Sequence, residues 1–248
     1  MEQKINTVDD DGVKALRFIS AYNAVDNALR SIYNFKRNMN YSDMIRRCAG
    51  LNQVVRKYED KLIDYGRLRN AIVHSSIEDV IIAEPHESVL LEFEKIARLI
   101  TTPPRALQTI ATQTVEVIEG NTLVKEVMKM IFTSGYKNIP VYTDGKLIGI
   151  ANASKILEEL GHQAFEGNDL EKFVSRERIG SIIKSDTVEN YYMVCNKDVT
   201  VEEVLELFYK NRKLLVVLIT ANGNFLDKPL GIVTVADIMD MNKIMDMY

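Results

Sequence analysis

EGNTLVKEVMKMIFTSGYKNIPVYT (residues 119–143) and NKDVTVEEVLELFYKNRKLLVVLIT (residues 196–220) align without a gap. Val124 and Val201, Glu126 and Glu203, Val127 and Val204, and Thr143 and Thr220 are identical across the pair. Met128/Leu205, Met130/Leu207, Ile131/Phe208 and Phe132/Tyr209 match in kind. After a five-residue insertion in the second copy, GIANASKIL (149–157) aligns with GIVTVADIM (231–239). Each copy reads as strand, helix, strand, turn, strand, helix. A duplication of this size predicts two related units packed on each other.

Working outward, Thr101-Thr102-Pro103-Pro104 marks a boundary, because proline cannot continue a helix and holds the preceding residue extended. Upstream the texture is helical. Val13, Leu16, Ile19, Tyr22, Val25, Leu29 and Ile32 recur every three to four positions and predict one apolar helix face. The polar stretch NFKRNMNYS predicts a turn, with Ser42 as N-cap of a second helix. That helix presents Ile45, Cys48, Leu51, Val55 and Tyr58, and its pattern continues through Leu62 and Tyr65. A further helix is expected from Pro85, with Val89, Phe93, Ile96 and Ile100 facing inward. The fold class expected is therefore α+β and multidomain: an all-α bundle over 1–103, then two βαββα repeats over 104–170 and 171–248, packed as a pair.

The 248 residues are 46% hydrophobic and 27% charged, a soluble globular balance. Neither Cys48 nor Cys195 has a CxxC partner, so both are expected as buried thiols, with no disulfide framework and no metal site. The start, MEQKINTVDDDG, has no signal-peptide pattern, and the longest apolar run, Leu214–Ile219, is too short for a bilayer. A cytoplasmic protein without a membrane is expected. The net charge of −4 conceals a local excess: Arg30–Arg69 holds ten basic side chains against four acidic. Such a stretch fits a solvated helical surface or a weak footprint for a polyanion.

The repeat unit, with "NIPVY", "DGKLIGI" and Gly231-Ile232-Val233-Thr234-x-x-Asp237, resembles a CBS domain, and the tandem copy resembles a CBS pair, or Bateman module. The resemblance spans about 145 residues and implies a site for an adenosine ligand: AMP, ADP or ATP, with S-adenosylmethionine or a cyclic dinucleotide as further possibilities. The motif's chemistry is legible. A strand entering a helix near Thr234 leaves free backbone N–H groups that favour phosphate, and Thr234 adds a hydroxyl. Asp237, on the same helical face, can accept from both hydroxyls of a ribose. The plain alternative is helix capping, with Thr234 as cap and Asp237 in the first turn. By resemblance the base would lie near the first strand, at Tyr192, Met193 and Val194, with Arg212 and Lys213 as phosphate partners. In the first copy Asn152 replaces the threonine and Lys155 the aspartate. Lysine accepts no hydrogen bond, so one competent site is expected, from the second copy, with Lys155 left to touch a phosphate of a longer ligand. The resemblance also implies a homodimer.

In the helical region, DYGRLRNAIVHSS (64–76) carries Arg69, Asn70 and His74, and FISAYNAVDNALRSIY (18–33) looks like a long first helix. This resembles the HEPN superfamily, many of whose members are metal-independent, dimeric ribonucleases. The resemblance implies His74 moving a proton at the ribose 2′-hydroxyl, Arg69 stabilising charge on phosphorus and Asn70 orienting the pair, with RNA as partner. His86 and His162 are expected on the surface. Two functions follow: a nucleotide-sensing regulator whose ligand state reaches a dimeric helical effector, or a nucleotide-gated ribonuclease.

Overall fold

The computed structural model describes residues 12–74, 84–184 and 191–248. The chain forms two compact units, Met1–Pro104 with Asp246–Tyr248, and Arg105–Met245.

The first unit contains α1 (Val13–Tyr33), α2 (Tyr41–Ala49), α3 (Gln53–Lys57), α4 (Glu59–His74) and α5 (Glu87–Thr101). Its core is built on three aromatic rings. Phe18 lies 4.8 Å from Phe93 and meets Tyr65 edge-on at 5.8 Å, and Tyr65 lies 4.5 Å from Phe93, the separations at which rings attract beyond simple burial. Leu29, Met44, Ile45, Leu62, Ile72, Leu90 and Ile96 are fully buried around them.

Four helical expectations are corrected. The buried face of α1 is Ala15, Phe18, Ala21, Val25 and Leu29, while Leu16 and Ile32 are exposed. Val25 and Leu29 of the expected stripe are buried, and Ala15, Phe18 and Ala21 complete the face in place of Leu16 and Ile32. The N-cap of α2 is Asn40, whose Oδ1 accepts from the Ser42 amide at 2.8 Å. The expected continuous second helix is three: Gly50 ends α2, Leu51 is exposed, and Asn52 caps α3 by accepting from the Val55 amide. Pro85 precedes α5, whose cap is His86.

The second unit contains α6 (Ala106–Thr109), β1 (Ile118–Glu119), α7 (Val124–Ser134), β2 (Asn138–Thr143), β3 (Lys146–Asn152), α8 (Ala153–Phe165), α9 (Leu170–Arg176) and α10 (Ile179–Lys184). β4 (Tyr192–Asn196), α11 (Val201–Lys210), β5 (Val216–Thr220), β6 (Pro229–Thr234), a 3-10 turn at Val235–Asp237 and α12 (Ile238–Met247) follow. Two three-stranded sheets result, β1-β2-β3 and β4-β5-β6, each with one parallel and one antiparallel pairing. Asp144 and Gly145 both take positive φ, the turn that joins two strands in register. The glutamates identical in the two copies do the same work: Glu126 accepts from the Leu123 amide at 3.2 Å and Glu203 from the Thr200 amide at 2.8 Å, each closing a helix start.

One core joins β1, β2 and β3 to their helices through Ile118, Val124, Val127, Ile139, Val141 and Ile156. A second joins the two sheets through Tyr142, Leu147, Ile150, Tyr191, Val216 and Leu218. The insertion of the second copy docks on the first: the Leu147 amide donates to the Phe225 carbonyl at 2.8 Å and the Tyr142 hydroxyl to the Asp227 carbonyl at 3.0 Å.

The lead-in segments are exchanged between copies. Residues 105–112 run onto the second copy, where Ala106 donates to Val199 and Thr112 exchanges both backbone hydrogen bonds with Ile232 at 3.0 Å. Residues 177–183 run onto the first, where Gly180 donates to Gly120 at 2.9 Å and Ile179 and Ile183 enter its core.

Candidate ligand-binding site

β6 ends at Thr234, whose extended backbone hands the chain to the 3-10 turn. Asp237 Oδ2 accepts from the Thr234 amide at 2.7 Å and from its hydroxyl at 3.0 Å. The Thr-x-x-Asp spacing thus closes a cap on its own turn. Among the described residues nothing else donates to the Asp237 carboxylate, so Oδ1 keeps its accepting capacity.

Beside this cap lies a cavity of about 330 Å³, within the range of small-molecule sites. One wall is Ile232, Thr234, Ala236 and Asp237; a second is Thr112, Thr114, Val115 and Glu116 of the exchanged lead-in; a third is Gly135, Tyr136, Lys137, Asn138 and Ile139 at the α7–β2 corner. Gly135 ends α7 at φ 74, a conformation that needs glycine, and so turns Tyr136 and Lys137 out of the helix.

Of the residues expected from sequence, the cavity gathers Ile232, Thr234 and Asp237. Gly231 and Val233 are buried beside them in β6. A Cβ at Gly231 would stand 2.9 Å from Leu107 and 3.0 Å from Ala111, so this glycine admits the exchanged segment. Tyr192, Met193 and Val194 do not line the cavity. Tyr192 pairs with Val216 and Val216 with Thr234, which puts β4 two strand spacings, about 10 Å, from Thr234. Arg212 and Lys213 lie between α11 and β5, also outside the lining. The lining takes its basic residue, Lys137, from the first copy. Sequence reasoning did not reach Thr112, Tyr136, Lys137 or Asn138, because nothing local reveals which copy receives a lead-in.

The matching motif in the first copy is differently engaged. Asn152 is buried, and its Oδ1 accepts from the Ser154 and Lys155 amides at 3.0 and 3.1 Å, capping α8. The half-buried Lys155 sits with Nζ 4.9 Å from the centre of the Tyr191 ring.

The CBS domain family model matches residues 107–162 and 180–242. The second unit carries a tandem pair of CBS domains. Solved structures similar to this CBS pair include the CBS domain of a bacterial CNNM/CorC family Mg2+ transporter in complex with ATP. It is 18% identical over 59% of this chain and 91% of that one, with a TM-score of 0.42. A CBS domain pair in complex with 5′-methylthioadenosine and S-adenosyl-L-methionine is 18% identical over 57% and 97%, TM-score 0.40. CBSX2 in complex with AMP is 16% identical over 58% and 98%, TM-score 0.42. No curated protein matches the chain.

In the helical unit, Arg69 and Asn70 lie on α4, which ends at His74; the His74 side chain falls outside the described residues. Arg69 places its guanidinium carbon 5.3 Å from the centre of the Tyr22 ring and donates from Nη1 to Asn70 Oδ1 at 3.3 Å. His162 is exposed, 3.4 Å from Glu166. Cys48 and Cys195 are free thiols, the first buried and the second half-buried, and burial pushes the pKa of both up to about 11. Among the described residues no helix is long and apolar enough to cross a membrane, and no three His, Cys, Asp or Glu side chains are grouped to hold a metal ion.

Proposed function

We propose that the chain is a cytoplasmic, homodimeric regulator whose CBS pair binds an adenine nucleotide and passes the ligand state to the helical unit. The observation that carries this reading is the ligand-sized cavity with Thr234 and Asp237 in its wall. Asp237 Oδ1 receives the ribose hydroxyls while Oδ2 stays committed to Thr234, so the cap holds the carboxylate in place before the ligand arrives. Val115 and Ile232 supply apolar surface for the base, and Tyr136, from the exposed corner, supplies a ring to stack on it. The complexes of similar CBS domains with ATP and with AMP support an adenosine ligand. The first-copy motif, with Asn152 turned to capping and Lys155 over Tyr191, contributes no second ribose site.

Calorimetric titration of the full chain with AMP and ATP tests the reading. Asp237→Ala should weaken the preferred nucleotide at least about tenfold, since hydrogen bonds to a charged acceptor are worth ~1.5–3 kcal/mol. Equal affinity in wild type and variant would sink the assignment. For the helical unit, the ribonuclease alternative rests on Arg69, Asn70 and His74 sharing α4. RNA incubated with and without nucleotide, beside His74→Ala, separates the two: cleavage lost in the variant establishes the enzyme, and none from folded, nucleotide-binding protein establishes the sensor.

A further inference from the structure

The cavity's charge is unsuited to a polyphosphate. Its charged lining side chains are Glu116, Lys137 and Asp237: two carboxylates and one ammonium. Every phosphate beyond the first brings negative charge towards a site that already holds an excess of it.

A neutral donor beside Lys137 is oriented by a chain of forced choices. Asn152 Oδ1 accepts from two backbone amides, Ser154 and Lys155, so the atom it aims at the helix start must be oxygen. Its other amide atom is then the nitrogen, which donates to Asn138 at 2.7 Å. The Asn138 atom facing it must accept, so it is Oδ1, and the Asn138 nitrogen is the atom left over. This assignment needs no choice between look-alike amide orientations, because backbone N–H groups fix Asn152 and Asn152 in turn fixes Asn138. Among the described residues none accepts from Asn138 Nδ2, and Asn138 lines the cavity.

We propose that this cavity selects adenosine compounds by phosphate number, holding a single phosphate between Lys137 Nζ and Asn138 Nδ2, with Asn152 as the positioning residue. The proposal rests on the adenosine reading above and narrows it to the monophosphate. The degenerate motif of the first copy thereby acquires a role, since Asn152 sets the polarity of Asn138.

The test is calorimetry on the full chain with adenosine, AMP, ADP and ATP, without divalent cations, at physiological ionic strength. Wild type should bind AMP roughly tenfold tighter than either adenosine or ATP, the phosphate's contacts in the first case and repulsion in the second. Lys137→Met should bring AMP most of the way down towards adenosine, with Asn138 left on the phosphate, and leave adenosine within about twofold. Asn138→Asp still accepts from Asn152 but offers the ligand a carboxylate, so it should weaken AMP and spare adenosine. Glu116→Gln, at an exposed position, should raise ATP relative to AMP. ATP binding as tightly as AMP, or Lys137→Met and Asn138→Asp weakening adenosine and AMP alike, overturns the proposal while leaving the adenosine site standing. Failure of all four compounds to bind overturns both.

Discussion

Gly180→Ala tests the exchange of lead-in segments, and its cost can be worked from the contacts. A Cβ at Gly180 would stand 2.8 Å from the Gly120 carbonyl oxygen and 3.3 Å from its carbonyl carbon and Cα. All three are backbone atoms, so relief requires α10 to lift from the first copy. Lifting stretches the 2.9 Å hydrogen bond from Gly180 to Gly120, worth ~0.5–1.5 kcal/mol. It also loosens Ile179 and Ile183 in a packed core, where overpacking costs ~1–3 kcal/mol. Against this, alanine gains up to ~1 kcal/mol over glycine in a helix. The balance is a loss of about 0.5–3.5 kcal/mol, read as a lower urea midpoint by far-UV circular dichroism. Gly161→Ala is the matched control. Gly161 also sits in a helix, α8, and a Cβ there meets nothing within 4 Å. It should raise the midpoint. If both variants move the same way, close approach at Gly180 is not what holds the lead-in.

Lys155→Ala should leave AMP affinity within about twofold, because its ammonium rests on Tyr191, and lower stability by ~0.5–1 kcal/mol, the worth of a cation–π contact. Stability should also fall as pH rises from about 9 to about 11. Burial raises both thiols to about 11 from an ordinary value of 9.0, so the folded chain holds protons that the unfolded chain releases. Urea midpoints across that window should decline less steeply in Cys195→Ala, and an unchanged slope would remove the thiol from the account.

What was legible in the sequence was what is local. The duplication showed because apolar positions recur at matching offsets, and Thr-x-x-Asp showed because both residues sit on one turn. Of the two readings of that pair the structure shows the cap, in which the Thr234 amide and hydroxyl are spent on Asp237 Oδ2, while Oδ1 stays available to the proposed ligand. Non-local choices were hidden. Nothing between 105 and 112 is periodic, so its pairing with Ile232 had no signal, and the cavity wall it builds went unseen. The face of α1 is only partly legible, because Ala15 and Ala21, weak in any hydropathy count, help form it where Leu16 and Ile32 do not.

The exchanged lead-ins make the two copies a clasp in which each fastens the other. Arg105 pairs with Thr200 and Thr112 with Ile232, so completing the second copy draws in chain about a hundred residues distant, while Leu123 pairs with Arg178 to complete the first. A first copy ending near residue 167 would lack Ile179 and Ile183 from its core. A change in either half is therefore felt at the other's seam.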